Sequence, residues 1–121
     1  MPSPIIAQTF RSGRPTRPVA AARFGANLNN STFTIVAGVA GQVIECHTLV
    51  LTVAAAAGAD LLFEDSGGGL LARVLPNLAG YLVIDLKGQR AGLGLGVRVN
   101  DPNAVAVSIF GSLSYRQFIA L

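Results

Sequence analysis

The sequence predicts an all-β domain of seven or eight short antiparallel strands behind an extended N-terminal arm. Three observations carry this. From residue 32 onward, apolar residues alternate with polar or small ones at period two. Clusters of Gly, Asn, Asp and Pro separate the alternating runs. No stretch has the apolar spacing of an amphipathic helix, and the alanine run at 54–57 is too short to stand alone as one.

The arm comes first. Residues 1–18 hold Pro2, Pro4, Pro15 and Pro18, four of the six prolines. Proline fixes φ, lacks an N–H and pushes its predecessor into extended geometry, so RSGRPTRP resists both helix and central strand. Ile5, Ile6 and Phe10 lie within this stretch and point to docking on an apolar surface. The expected division is an arm over residues 1–31 and a β domain over residues 32–121.

Within the domain, Phe33 and Ile35 alternate with threonines, and QVIECHTLVLTV (residues 42–53) is β-branched and leucine-rich. Leu61 and Phe63 alternate with Asp60 and Glu64; Leu82, Ile84 and Leu86 alternate with Tyr81, Val83 and Asp85. Leu93, Leu95, Val97 and Val99 alternate with Gly92, Gly94, Gly96 and Arg98 and are expected to form a strand with one bare face. The last run holds Val105, Val107, Ile109, Leu113 and Tyr115, with Gly111 expected to mark a bulge or bend. Turn signals stand at Asn29-Asn30-Ser31, Gly38–Gly41, Ser66–Gly69, Lys87-Gly88 and Asn100-Asp101-Pro102-Asn103. Short strands at this spacing predict a sandwich or a barrel.

Composition adds a functional constraint. Of 121 residues, 51% are hydrophobic and only 12% charged, about half the charge of an ordinary soluble domain, which is near 25%. A surface so short of charge is expected to be covered in part by partners. Outward strand positions carry Thr32, Thr34, Thr48, Thr52, Ser108, Ser112 and Ser114 where lysine or glutamate would blunt a free sheet. The net charge of +3 is uneven. Residues 1–44 carry Arg11, Arg14, Arg17 and Arg23 and no acid (+4); the remaining residues carry five cations against six acids (−1). Arginines pair bidentately with carboxylates as well as with phosphates. Without a lysine tract or an aromatic stacking array, an acidic protein surface is the expected target and nucleic acid is not. The start MPSPIIAQTF has no secretory pattern and no apolar run reaches the length of a membrane span, so no membrane partner is expected.

Few side chains are suited to catalysis or metal binding: the chain has one histidine and one cysteine. Glu45 and His47 share a strand face while Cys46 points away, so Cys46 and His47 cannot meet as a nucleophile pair; a buried thiol and a rim ion pair are expected. One histidine and one cysteine fall short of a metal set. Glu64 and Asp65 are adjacent, point to opposite faces and are expected to be a solvated strand end. AGLGLGV lacks the third glycine of a dinucleotide fingerprint, since Val97 occupies it. No enzyme, no cofactor, no metal and no small-molecule substrate are expected.

Over about residues 34–118 the chain carries Val39-Ala40-Gly41-Gln42-Val43-Ile44, a V-x-G-x-x-I strand, then Leu49-Val50-Leu51, an alanine-rich turn, and a last strand VAVSIFGSLSYRQF ending near Tyr115. This pattern resembles small tailed-bacteriophage virion proteins. The resemblance implies a β-sandwich of jelly-roll type that decorates a capsid, often as a homotrimer, with an N-terminal arm strapped onto a neighbour. It thus implies a capsid decoration (cement) protein bound over major-capsid-protein junctions on the virion surface and assembled in the bacterial cytoplasm. Tail, neck or fibre modules and a host-surface or glycan-binding module are the alternatives. The residues expected to contact partners are Ile5, Ile6, Phe10, Arg11, Arg14, Arg17 and Arg23.

Overall fold

The computed structural model describes residues 19–54, 60–74, 80–103 and 105–120. It is a single β-sandwich of eight strands: β1 (Ala20–Leu28), β2 (Ser31–Val36), β3 (Gln42–Val53), β4 (Leu61–Asp65), β5 (Leu70–Val74), β6 (Gly80–Arg90), β7 (Val97–Asp101) and β8 (Val107–Ile119). No helix occurs among the described residues.

Two four-stranded sheets form, in the orders β1-β8-β3-β6 and β2-β7-β4-β5. The pairing is nested: first strand with last, second with seventh, third with sixth, fourth with fifth, all antiparallel. Pairing of β3 with β8 and of β4 with β7 closes each sheet. A long hairpin folded over two sheets in this way is the jelly roll, the double Greek key of many capsid and lectin domains. The alternation that predicted the strands fills the space between the sheets. Ile44, Leu49, Leu51, Ile109 and Leu113 of one sheet face Leu61, Phe63, Val97 and Val99 of the other, each almost fully buried.

The structure corrects the sequence reading at five places. β1 lies inside the stretch expected to be arm and pairs with β8 from Ala20↔Tyr115 to Leu28↔Val107. Its inward residues are Ala22, Phe24, Ala26 and Leu28. Two alanines in four inward positions make the alternation faint, and β8 supplies the pairing that propensity does not. LLARV, which no alternation singled out, is β5.

Residues 91–96 are loop and β7 starts only at Val97. Leu93 is 63% exposed and does not join the core. The glycines serve close backbone approach, though between loops: a Cβ on Gly96 would strike the Val36 carbonyl, and one on Gly38 would strike that of Gly94. Lys87 and Gly88 do not end a strand. They sit in the left-handed region, at φ 56° and 75°, inside β6. There the register with β3 jumps from Cys46↔Gln89 to Thr48↔Asp85, a bulge. Gly111, finally, marks no bulge: it pairs in unbroken register with Leu51, and the irregularity in the β3–β8 pairing is at His47.

Candidate interaction surfaces

Pairing register assigns every outward residue of the β1-β8-β3-β6 sheet to a row across the four strands. One row reads Gly25, Phe110, Thr52, Tyr81; the next Arg23, Ser112, Val50, Val83; the next Ala21, Ser114, Thr48, Asp85. Phe110, Tyr81 and Val83 are 51%, 67% and 59% exposed. The middle of this face is therefore an aromatic and aliphatic patch in a field of serine and threonine. Within these three rows the charges are Arg23 on β1 and Asp85 on β6, the two edge strands.

Toward the end of the sheet where the chain enters β1, the next row is charged. Glu45 of β3 lies between Arg116 of β8 and Arg90 of β6. Its carboxylate accepts from Arg90 (3.3 Å) and Arg116 (3.5 Å) and lies 2.8 Å from Nε2 of His47. Burial pushes the Glu45 carboxyl up, but the Arg90 and His47 contacts outweigh it and hold it below its ordinary value. His47 Nε2 also lies 3.2 Å from Arg116. With a hydrogen on that nitrogen it donates to Glu45; without one it accepts from Arg116. Beyond this row, Arg90 stacks over the Phe118 ring at 5.1 Å. Cys46 is fully buried, and burial followed by the neighbouring Glu45 charge pushes its thiol up to about 11. A thiol held in that state is no nucleophile at neutral pH.

The opposite sheet is polar outside. Arg98 of β7 packs on Glu64 of β4, with Nε at 2.7 Å and Nη2 at 2.6 Å from the same carboxylate oxygen. Glu64 and Asp65 are not the solvated strand end the sequence implied, since both are buried. Glu64 faces Arg98, while Asp65 turns inward under the glycine loops. Asp65 Oδ1 accepts the N–H of Gly67 (3.0 Å) and of Gly69 (2.8 Å), and Oδ2 accepts that of Gly92 (3.0 Å). Burial raises the Asp65 carboxyl; these N–H groups, led by that of Gly92, outweigh it and the net direction is down. The carboxylate ties the β4–β5 turn to the loop ahead of β7, so its role is architectural.

The Arg98–Glu64 pair gives a direct stability test. Arg98→Ala leaves a buried carboxylate without its cation, which is costly. Because Arg98 itself is 29% exposed, water recovers part of that loss. The expected destabilisation is about 2 kcal/mol in a urea titration, and it shrinks when Glu64 is replaced by Gln in the same chain.

Arg23 is the one sequence-predicted contact residue among the described residues. It stands exposed on the outward face of β1. Ile5, Ile6, Phe10, Arg11, Arg14 and Arg17 lie outside the described residues. The patch of Phe110, Tyr81 and Val83 escaped sequence reasoning because it exists only through pairing between distant strands. Asp101 is fully buried with Oδ1 on the N–H of Asn103 (3.0 Å) and no hydrogen-bond partner on Oδ2. A lone carboxylate beside one amide falls short of the oxygen set a hard cation takes. Among the described residues, no group of three or more His, Cys, Asp or Glu is placed to hold a metal.

No protein-family model matches the chain, and no curated protein sequence matches it.

Proposed function

We propose that the protein is a structural component of a virus particle, a decoration protein that binds over junctions between major capsid subunits of a tailed-phage head. The observation that supports this most is the outward face of the β1-β8-β3-β6 sheet. It is apolar at its centre, neutral over most of its rows and carried on a jelly roll, an architecture common in capsids. A surface of this kind gains by being covered. The one histidine is engaged with Glu45 and Arg116, and the one thiol is buried.

In this reading the domain packs and the arm tethers. Ala20 pairs with Tyr115, so the chain enters the sheet beside the Glu45–Arg90–Arg116 cluster, where cations outnumber acids. The acidic partners of Arg11, Arg14 and Arg17 therefore lie on a neighbour and not on this end of the same domain. Many copies, each with modest contacts, then hold firmly through multivalency. A tail, neck or fibre position uses the same surface and differs in copy number.

The test is co-sedimentation with empty heads. The full chain is expected to pellet with heads and to saturate. A chain lacking residues 1–18 is expected to keep the circular dichroism and melting transition of the folded domain while losing head binding. Full-strength binding by the shortened chain would overturn the tether, and no binding by the full chain would overturn the decoration role.

A further inference from the structure

The end of the sandwich where the chain enters β1 is built from loops without charge. β3 starts here, and β6 and β8 finish here. Three segments meet at Gln42. It pairs with Ile119, its N–H donates to the Val39 carbonyl (3.0 Å), and its own carbonyl accepts the N–H of Gly94 (2.8 Å). The Ala120 N–H donates to the Gly41 carbonyl (3.2 Å). Val39, Leu93 and Ile119 are thereby gathered at one tip, where they are 43%, 63% and 64% exposed. Val19, also exposed, precedes Ala20 at the same end. Residues 37–42, 91–96 and 117–120 contain no Asp, Glu, Lys or Arg. A contiguous apolar tip rimmed by polar groups marks an interaction site.

The arm says which way this tip looks. Phe10 precedes Val19 by so few residues that it reaches about 30 Å from the tip at most. A partner at the opposite end of the domain would be separated from Val19 by the length of β1, again about 30 Å. The arm would be spent in running alongside its own domain. A partner on the tip receives Ile5, Ile6 and Phe10 without that loss. Charge selects further. Glu45 lies between Arg90 and Arg116, Glu64 is held by Arg98, and Asp65 is buried beneath the glycine loops on three N–H groups. These three acids are engaged, and Arg11, Arg14 and Arg17 leave from a rim that already carries Arg90 and Arg116. The complementary surface is an apolar recess with carboxylates around it. It is protein and not lipid, since the tip segments hold no tryptophan or tyrosine to anchor in a bilayer interface.

We propose that this tip seats in an apolar, acid-rimmed recess of the major capsid subunits, with Val39, Leu93 and Ile119 making the contact. The inference rests on the decoration reading and adds an orientation to it: the strands stand on the head, and the aromatic sheet face is left at the side.

The experiment is co-sedimentation of the full chain with empty heads over a range of concentrations. The double variant Val39→Asp with Leu93→Asp changes two exposed loop side chains. It is expected to keep the circular dichroism of the wild type and to bind heads about tenfold more weakly or worse. Leu93→Ala only shortens an exposed side chain, so it reads the contact even if the double variant does not fold; it is expected to weaken binding several-fold. Val105→Asp is the control. Val105 is exposed and precedes Val107, which pairs with Leu28 at the opposite end, and its variant is expected to bind as the wild type does. Folded tip variants that keep wild-type affinity, or an equal loss from Val105→Asp, would overturn the orientation and leave the decoration role standing. A wild-type chain that does not pellet with heads would overturn both. Flotation of the wild-type chain, but not the double variant, with phosphatidylcholine–phosphatidylserine vesicles would assign the tip to a lipid surface and overturn the proposal.

Discussion

Gly111→Ala is expected to lower the melting temperature by roughly 10 °C or more, the shift that about 3 kcal/mol produces in a domain of this size. Gly111 sits in mid-strand of β8, paired with Leu51 in the most central pairing of its sheet. A Cβ built there runs into the Val50 carbonyl oxygen and closely approaches the Leu51 backbone. Neither neighbour is the movable end of a side chain, so relief requires β3 and β8 to part. Those two strands carry Leu49, Leu51, Ile109 and Leu113 into the core. Parting them also loosens the packing of these four side chains. Gly25→Ala serves as the control. Its Cβ would rest 3.7 Å from the Cβ of Phe110, an ordinary contact, on an edge strand. Its melting temperature is expected to stay within a degree or two of the wild type, consistent with a surface substitution. Equal effects from the two substitutions would contradict the close approach at Gly111.

Asp65→Asn is expected to destabilise the domain by about 3 kcal/mol in a urea titration, because hydrogen bonds to a charged acceptor are the stronger kind. Asparagine keeps one acceptor oxygen for the N–H groups of Gly67 and Gly69 but sets an amide donor against that of Gly92. The loop ahead of β7 then loses its anchor to the β4–β5 turn. The same substitution carries a pH signature. The folded-state value of Asp65 lies below its ordinary 3.8, so the unfolded chain takes up the proton more readily than the folded one. The stabilisation is complete above the ordinary value and is lost as pH falls through the depressed one. The gap between wild type and Asp65→Asn is therefore expected to be widest near neutrality and to close in strong acid. Glu45 is depressed as well and remains in both chains, so the difference isolates Asp65. A gap that persists unchanged at low pH would contradict the carboxylate's role.

The legible parts of the fold were those where side-chain size alternates strongly. QVIECHTLVLTV became β3 with the boundaries its composition implied, and Leu82, Ile84 and Leu86 lie on the inward face of β6. The turn at Ser66–Gly69 is the β4–β5 connection. What misled was glycine and alanine. In residues 91–96 a perfect alternation came from glycines that serve loop-to-loop contact, and in β1 short alanines hid a true strand. Lys87-Gly88 read as a turn because left-handed residues mark turns and bulges alike. The surface was less legible than the fold. Serine and threonine on outward positions announced a neutral face, yet Phe110, Val50 and Tyr81 are far apart in sequence. Only the register of β3 with β6 and β8 sets them side by side.

The central claim is that this jelly roll is a repeated structural unit of a phage head, and its most direct test is copy number. Quantitative mass spectrometry of purified particles would compare the chain with the major capsid protein. The account predicts a copy number of the same order as the major capsid protein, lowered in particles whose chain lacks residues 1–18. A handful of copies per particle, as at a tail or neck, or absence from particles altogether, would contradict it.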